Sequence, residues 1–310
     1  MSTPNRTRAG VLFAFGAYAI WGLFPLYFLA LMPANAFEVV SFRVIVSLIF
    51  ACILITFLRQ WGQIRRALAS PRVMLTLGLA AVLIFINWEV FILAVYDNKV
   101  VETALGYFIN PLITVALGVF FFKERLRRLQ WVAVGLGIVS VIVLTLAYGQ
   151  PPWIALTLAF SFGLYGLVKK KVGSHIGAIP GLAIETAWVL PVAIAQLVIV
   201  GVLGNLDVFS LGPVHATLTI GSGVVTALPL MLFAAGTKRI PLSWIGLIQY
   251  FSPFASFLLG IFVFHEAMSA SRWIGFGIIW LAIVLLTVDV FVSRRSRSRI
   301  LEAEETAIGG

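Results

Sequence analysis

The sequence predicts an all-α integral membrane fold of ten transmembrane helices, arranged as two inverted five-helix repeats. Three observations carry that prediction. The 310 residues are 61% hydrophobic and only 11% charged, where a globular chain carries roughly 25% charged residues to cover its surface. Apolar stretches of bilayer length recur ten times. The second half of the chain also repeats landmarks of the first at a constant offset.

A hydrocarbon core about 30 Å thick takes about 20 residues at 1.5 Å rise each. That ruler places spans near 9–32, 37–58, 73–96, 100–122, 129–148, 152–168, 178–201, 215–236, 241–264 and 271–292. Short connections rich in helix breakers separate them: Met32-Pro33-Ala34-Asn35, Gly149-Gln150-Pro151-Pro152, and Gly204 through Pro213. The first span follows Arg6 and Arg8 and precedes Ala34-Asn35-Ala36, as a signal peptide would. Its apolar run is too long for a signal and has a counterpart later in the chain, so it is read as a retained helix.

The loops alternate in charge. Arg6 and Arg8, then Arg59, Arg65, Arg66 and Arg72, then Lys123, Arg125, Arg127 and Arg128 fall on one side. Lys169, Lys170 and Lys171, then Lys238 and Arg239, and finally Arg294, Arg295, Arg297 and Arg299 join them, 19 of the 22 basic residues in all. Lys99 and Arg272 lie opposite, and Arg43 lies within a span. The positive-inside rule puts both termini in the cytoplasm. The formal net charge of +10 is therefore assigned to membrane anchoring, with membrane lipids as partners and no nucleic acid. In the tail, the four arginines precede Glu302, Glu304 and Glu305, a basic anchor followed by a solvated end.

Chemistry of other classes is not encoded. There is no His-Glu-x-x-His, no Gly-x-Ser-x-Gly and no Gly-x-x-x-x-Gly-Lys-Ser/Thr, while His175, His215 and His265 fall in or beside loops. No catalytic residue, metal site or cofactor is expected, and ATP-driven pumping would need another subunit. The single cysteine, Cys52, sits in an apolar run and cannot form an intrachain disulfide. A membrane sensor is the main alternative to a transporter, and it lacks a soluble output domain.

Shifting the chain by 142 residues sets Asn110-Pro111 on Ser252-Pro253, Gly118 on Gly260, Phe120 on Phe262, Phe122 on Phe264 and Glu124 on Glu266. Trp131 then falls on Trp273, Gly135 on Gly277 and Thr145 on Thr287; with a two-residue adjustment Trp21-Gly22-Leu23 falls on Tyr165-Gly166-Leu167. Residues 9–148 form the first repeat, 152–292 the second, and 293–310 a cytoplasmic tail. Five spans per repeat is an odd number, so the second copy enters from the opposite side. Inverted repeats are a mark of secondary transporters, whose substrate lies near the midplane at the repeat interface.

The paired motif Pro111/Gly118/Glu124 and Pro253/Gly260/Glu266 resembles the EamA repeats of the drug/metabolite transporter superfamily. The run 104–112, with Asn87-Trp88 and Phe42-Arg43-Val44-Ile45 upstream, is similar to the RarD subgroup. The resemblance covers Gly10 to about Arg295. It implies a ten-helix exporter of the bacterial inner membrane handling small amphipathic metabolites or drugs, amino-acid-like or amphenicol-like, by alternating access. The subgroup's association with chloramphenicol tolerance is a label rather than a substrate assignment.

An ionisable group inside a span is expensive, and by default faces a cavity or a partner. Arg43, with Ser47 one turn on, is read as a fixed cation for an electron-rich substrate group. A permanent ion pair with Glu38, Glu89, Glu102 or Glu185 is the alternative. Glu102, Gly106 and Asn110 share one helix face, expected to meet the cavity. Tyr107 lies beside it, and Asn87 joins the lining by the family resemblance. Pro111 and Pro253 interrupt backbone hydrogen bonding near Tyr107 and Gln249, marking corresponding helix breaks or hinges. Gln249, Tyr250 and Ser252 follow as substrate contacts, and Glu185 with Trp188 forms another candidate pair. Tyr18 with Trp21, and Ser161 with Tyr165, are lesser candidates. Glu89, Glu102 and Glu185 are the candidates for proton coupling, since burial favours the neutral acid. The stripe Thr219, Ser222 and Thr226 reads as helix-to-helix glue, and Glu124 and Glu266 as caps of the helices that follow them.

Overall fold

A computed structural model describes residues 4–123, 126–172, 176–204 and 206–308. Glu124, Arg125 and His175 lie outside them, as do the side chains of the tail from residue 293. The described residues are helical and contain no strand. In chain order the helices are α1 (Pro4–Gly22), α2 (Phe24–Leu29), α3 (Ala36–Phe57), α4 (Trp61–Leu68), α5 (Pro71–Tyr96), α6 (Val100–Phe122) and α7 (Arg128–Tyr148). There follow α8 (Trp153–Val172), α9 (Ala178–Val202), α10 (Pro213–Thr237), α11 (Leu242–Ile248), α12 (Phe251–Phe262) and α13 (Ala270–Ile308).

Among the described residues, nine segments are long and apolar enough to cross a membrane, and the chain is a multi-pass membrane protein. α1 with α2, and α11 with α12, each make one such segment. α8 is a tenth long helix outside that set; Lys169, Lys170 and Lys171 occupy its last turn and shorten its apolar run.

Four local features depart from the sequence reading. The first span is divided at Leu23, with Pro25 in the opening turn of α2, where its missing N–H costs nothing. The loop assigned four arginines contains α4, whose Trp61, Ile64, Ala67 and Leu68 recur at helical spacing. α13 runs on without a break to Ile308, where the span was expected to end near 292. The two prolines also behave differently. The helix is divided just before Pro253, between Ile248 and Phe251, whereas Pro111 lies inside an uninterrupted α6.

The chain forms two compact units, 1–110 with 153–267, and 111–152 with 268–310. Each draws on both repeats. In the first, α3 packs on α9, α1 on α10, and α5 on α8. α3 and α9 are the second long helices of their repeats; α1 with α10, and α5 with α8, are the same first-with-third pairing made in both directions. Such reciprocity is what a two-fold relation between two copies requires. In the second unit α7 packs on α13, the last long helices of the two repeats together. Ser140 Oγ donates to the Gly275 carbonyl at 2.8 Å, and Gln130 Nε2 to Asp289 Oδ2 at 2.9 Å, with Arg127 3.5 Å from the same carboxylate.

Small residues permit the closest approaches in the first unit. A Cβ on Gly106 would lie 2.7 Å from the Ala155 carbonyl oxygen, and one on Gly22 2.8 Å from Ala255 Cβ. The backbones of α6 and α8, and of α1 and α12, meet there as membrane helices do when lipid supplies no hydrophobic drive. Glu266 Oε1 accepts the Val101 amide at 2.9 Å, so the donor it satisfies is at the start of α6, a helix earlier in the chain than the one it was expected to cap.

Candidate functional site

Arg43 stands about two turns into α3 and is 4% exposed. Its Nε donates to Thr226 Oγ1 on α10 at 2.9 Å. The guanidinium carbon lies 4.3 Å from the ring centre of Trp88 on α5, and 5.4 Å from those of Phe24 and Phe28 on α2. Among the described residues no carboxylate pairs with it. Rings from two helices and a hydroxyl from a third thus enclose the cation carried by α3.

Magnitudes decide how that cation behaves. Taking an ion out of water costs several kcal/mol even after relaxation, and a ring face returns about 0.5–2 kcal/mol. The cage moderates the charge without cancelling it, so the site gains by accepting an electron-rich group. Two buried hydroxyls stand one turn away on the same two helices, Ser47 on α3 and Ser222 on α10, each Oγ without a partner among the described residues. An unmet buried donor costs about 1–3 kcal/mol, which a polar ligand would recover.

The carboxylates weighed as partners of Arg43 are engaged elsewhere. Glu38 accepts the amides of Asp207 at 3.1 and 3.0 Å and of Val208 at 2.9 Å, tying the loop before α10 to the start of α3. Glu185 takes the Lys169 ammonium at 2.5 Å and the Tyr165 hydroxyl at 3.1 Å, joining α9 to α8. Glu89 Oε1 accepts from Gln196 Nε2 at 2.7 Å, and Gln196 Oε1 from Ser41 Oγ at 3.0 Å. Glu89 Oε2 is buried and has no partner among the described residues. Glu102 is half-buried in the first turn of α6, at an end of its span.

The polar centres are joined by rings. Phe28 touches Phe91 with centroids 6.0 Å apart, Phe91 touches Tyr107 at 6.1 Å, Tyr107 touches Phe162 at 6.0 Å, and Phe162 touches Tyr165 at 5.9 Å. This chain leads from the Arg43 cage to the Lys169 and Glu185 pair. Midway, Asn87 Oδ1 accepts the Tyr107 hydroxyl at 3.0 Å, and its Nδ2 donates to Ser161 Oγ at 3.0 Å and to the Leu158 carbonyl at 3.2 Å.

Arg43, Asn87 and Tyr107 are therefore connected through one aromatic core, as is Glu185 at its far end. The face of Gly106 and Asn110 is not a free cavity wall, because both pack on α8 and Asn110 Nδ2 donates to the Ala159 carbonyl at 3.1 Å. Trp188 is 45% exposed and packs on Gly78 of α5. Gln249 and Tyr250 occupy the break between α11 and α12, with Gln249 Nε2 on the Gly246 carbonyl at 3.1 Å, and Ser252 lies against Gly22. Tyr18 and Trp21 pack against Phe233 of α10.

Sequence reasoning missed Trp88, Phe24, Phe28, Thr226 and Gln196. Thr226 carried a signal in its hydroxyl stripe, but that stripe was assigned to helix packing. No group of three or more His, Cys, Asp or Glu able to hold a metal occurs among the described residues.

The chain is 45% identical to Protein RarD of Streptomyces exfoliatus, over 99% of this chain and 98% of that one. It is 43% identical to the uncharacterized transporter YojE of Bacillus subtilis, over 91% and 94%. A crystal structure shares the fold with a TM-score of 0.58 at 17% identity, covering 91% of this chain and 98% of its own. The model of the EamA-like transporter family matches twice, at residues 8–146 and 152–288. A multi-pass helical chain with a duplicated architecture and a buried polar centre thus belongs to the EamA-like transporter family.

Proposed function

We propose that the protein is a secondary transporter of the bacterial inner membrane that exports small amphipathic molecules, amino-acid-like or amphenicol-like, by alternating access. It spans the membrane ten times, α8 included, with both termini in the cytoplasm. One observation carries the reading: a buried guanidinium held by three aromatic rings and a hydroxyl, with no carboxylate paired to it among the described residues. Such a centre suits a ligand with an electron-rich head and an apolar or aromatic body. Asn87 and Tyr107 continue the lining, and the Glu185 and Lys169 pair forms its far end. Gln249, Tyr250 and Ser252, at the broken helix, supply the segment able to bend, with Pro253 as its hinge. Glu89 is the proton carrier in this scheme, since its Oε2 is buried and has no partner among the described residues.

The test is flux through purified protein in liposomes with a panel of amino acids, aromatic acids and amphenicols, with and without an imposed pH gradient. Saturable flux of one class, absent from empty liposomes and steepened by the gradient, is expected. Flux indifferent to the gradient removes the proton, and no flux of any class overturns the substrate assignment. Labelling of single cysteines at positions 35 and 170, in a Cys52→Ser background, checks the topology, with opposite accessibility expected.

A further inference from the structure

We propose that an apolar cleft beside α4 binds the acyl chain of an anionic phospholipid, whose phosphate is met by Arg65 and Arg66. The cleft lies within the first compact unit and has a volume of about 370 Å³, in the range of small-molecule sites. Cys52 of α3, Trp61 and Leu68 of α4, and Ala187, Trp188 and Pro191 of α9 are among its walls, and every lining residue is apolar. Leu68 is 59% exposed and Trp61 43%, while Ile55, Ala183 and Ile184 of the same lining are buried, so the cleft runs from the surface down to the core.

α4 forms its floor and is tied at both sides. Trp61 Nε1 donates to Thr56 Oγ1 on α3 at 3.0 Å, and Gln63 Oε1 accepts the Gly177 amide, at the start of α9, at 2.7 Å. Ala67 is buried against Leu77 and Ile184. An amphipathic helix held in this way beside spanning helices lies in the interface, with its apolar face toward the acyl region.

Charge identifies the occupant. Arg65 and Arg66 occupy the last turn of α4 and are exposed, with Arg59 and Arg72 flanking the helix. No acidic residue occurs from 39 to 88 in the sequence, and none of these arginines is paired with a carboxylate among the described residues. A second copy of a chain with net charge +10 would bring like charge to that rim. A phospholipid with a net negative headgroup meets both demands, hydrocarbon for the cleft and phosphate for the rim.

Trp61 and Trp188 are built-in reporters. The full-length protein is reconstituted in phosphatidylcholine vesicles containing either dibrominated phosphatidylglycerol or dibrominated phosphatidylcholine as quencher. The contribution of the two indoles is isolated by difference from W61F and W188F. Phosphatidylglycerol should quench them preferentially, and that preference should fall roughly fivefold for each arginine removed in R65Q and R65Q/R66Q. Filling the cleft with A187F should remove the preference while both arginines remain. Equal quenching by the two lipids overturns the proposal, as does a preference that survives R65Q/R66Q. Shielding of both indoles from either lipid also overturns it, in favour of a protein partner over the cleft.

Discussion

The Lys169 ammonium lies 2.5 Å from Glu185 Oε1, and that pairing removes Glu185 from the carboxylates that could have neutralised Arg43. The two cations of this unit's interior consequently have different stability signatures. Replacing Lys169 by Met strands a carboxylate that is 4% exposed. Breaking a fully buried pair costs about 3–5 kcal/mol; the ammonium here keeps some contact with water, so about 1–3 kcal/mol is expected. Thermal unfolding in detergent should show K169M well below the parent, and K169M/E185Q recovering most of the loss. A double variant no better than K169M would mean that the pair is not the source.

Arg43 should behave in the opposite manner. Arg43→Met removes a charge that pairs with no carboxylate among the described residues, and inserts a flexible apolar chain among Trp88, Phe24 and Phe28. The melting temperature should stay within a few degrees of the parent. Flux should fall roughly tenfold or more, and Arg43→Lys should recover only part of it because an ammonium lacks the planar fork. Failure of R43M to fold would return Arg43 to a structural role.

Glu89→Gln keeps the acceptor for Gln196 and removes the titratable oxygen. If that oxygen carries the proton, E89Q retains downhill flux but loses its response to an imposed pH gradient. Unchanged gradient dependence in E89Q would transfer the role to Glu102 or Glu185, which the same substitution tests.

Glu38 binds its loop through backbone amides, so its neutral isostere should loosen that loop selectively. Charge-assisted bonds are about twice as strong as neutral ones. Glu38→Gln should therefore cost roughly 1–2 kcal/mol and speed hydrogen exchange at Asp207 and Val208 ahead of other amides. Uniform acceleration through the chain would indicate a global rather than a local effect.

Much of the fold is legible in sequence, because lipid tolerates only long uninterrupted apolar runs and the spans announce themselves. Duplication is equally visible, since Pro, Gly, Glu and Trp recur at one offset. What escaped were features that hydropathy alone does not mark. α4 hides behind its arginines, although Trp61, Ile64 and Leu68 keep helical spacing. The division at Leu23 was signalled only by Gly22 with Pro25 three residues on. At the site, Arg43 stands out as a lone charge within a span. Its neighbours do not, because Phe24, Trp88 and Thr226 come from three other helices and no spacing along the chain relates them.

The interleaving of the two repeats has a consequence for how the protein is made. α3 begins at Ala36 and its principal neighbour α9 at Ala178, so at ordinary translation rates the first waits on the order of ten seconds for the second. During that wait Arg43 has no Thr226, Glu89 no Gln196, Asn87 no Ser161, and Glu38 no amides of Asp207 and Val208. The early half of the polypeptide holds the unmet polar groups and the late half supplies their partners. A chain stalled between the two repeats is therefore a natural substrate for insertion chaperones and membrane proteases.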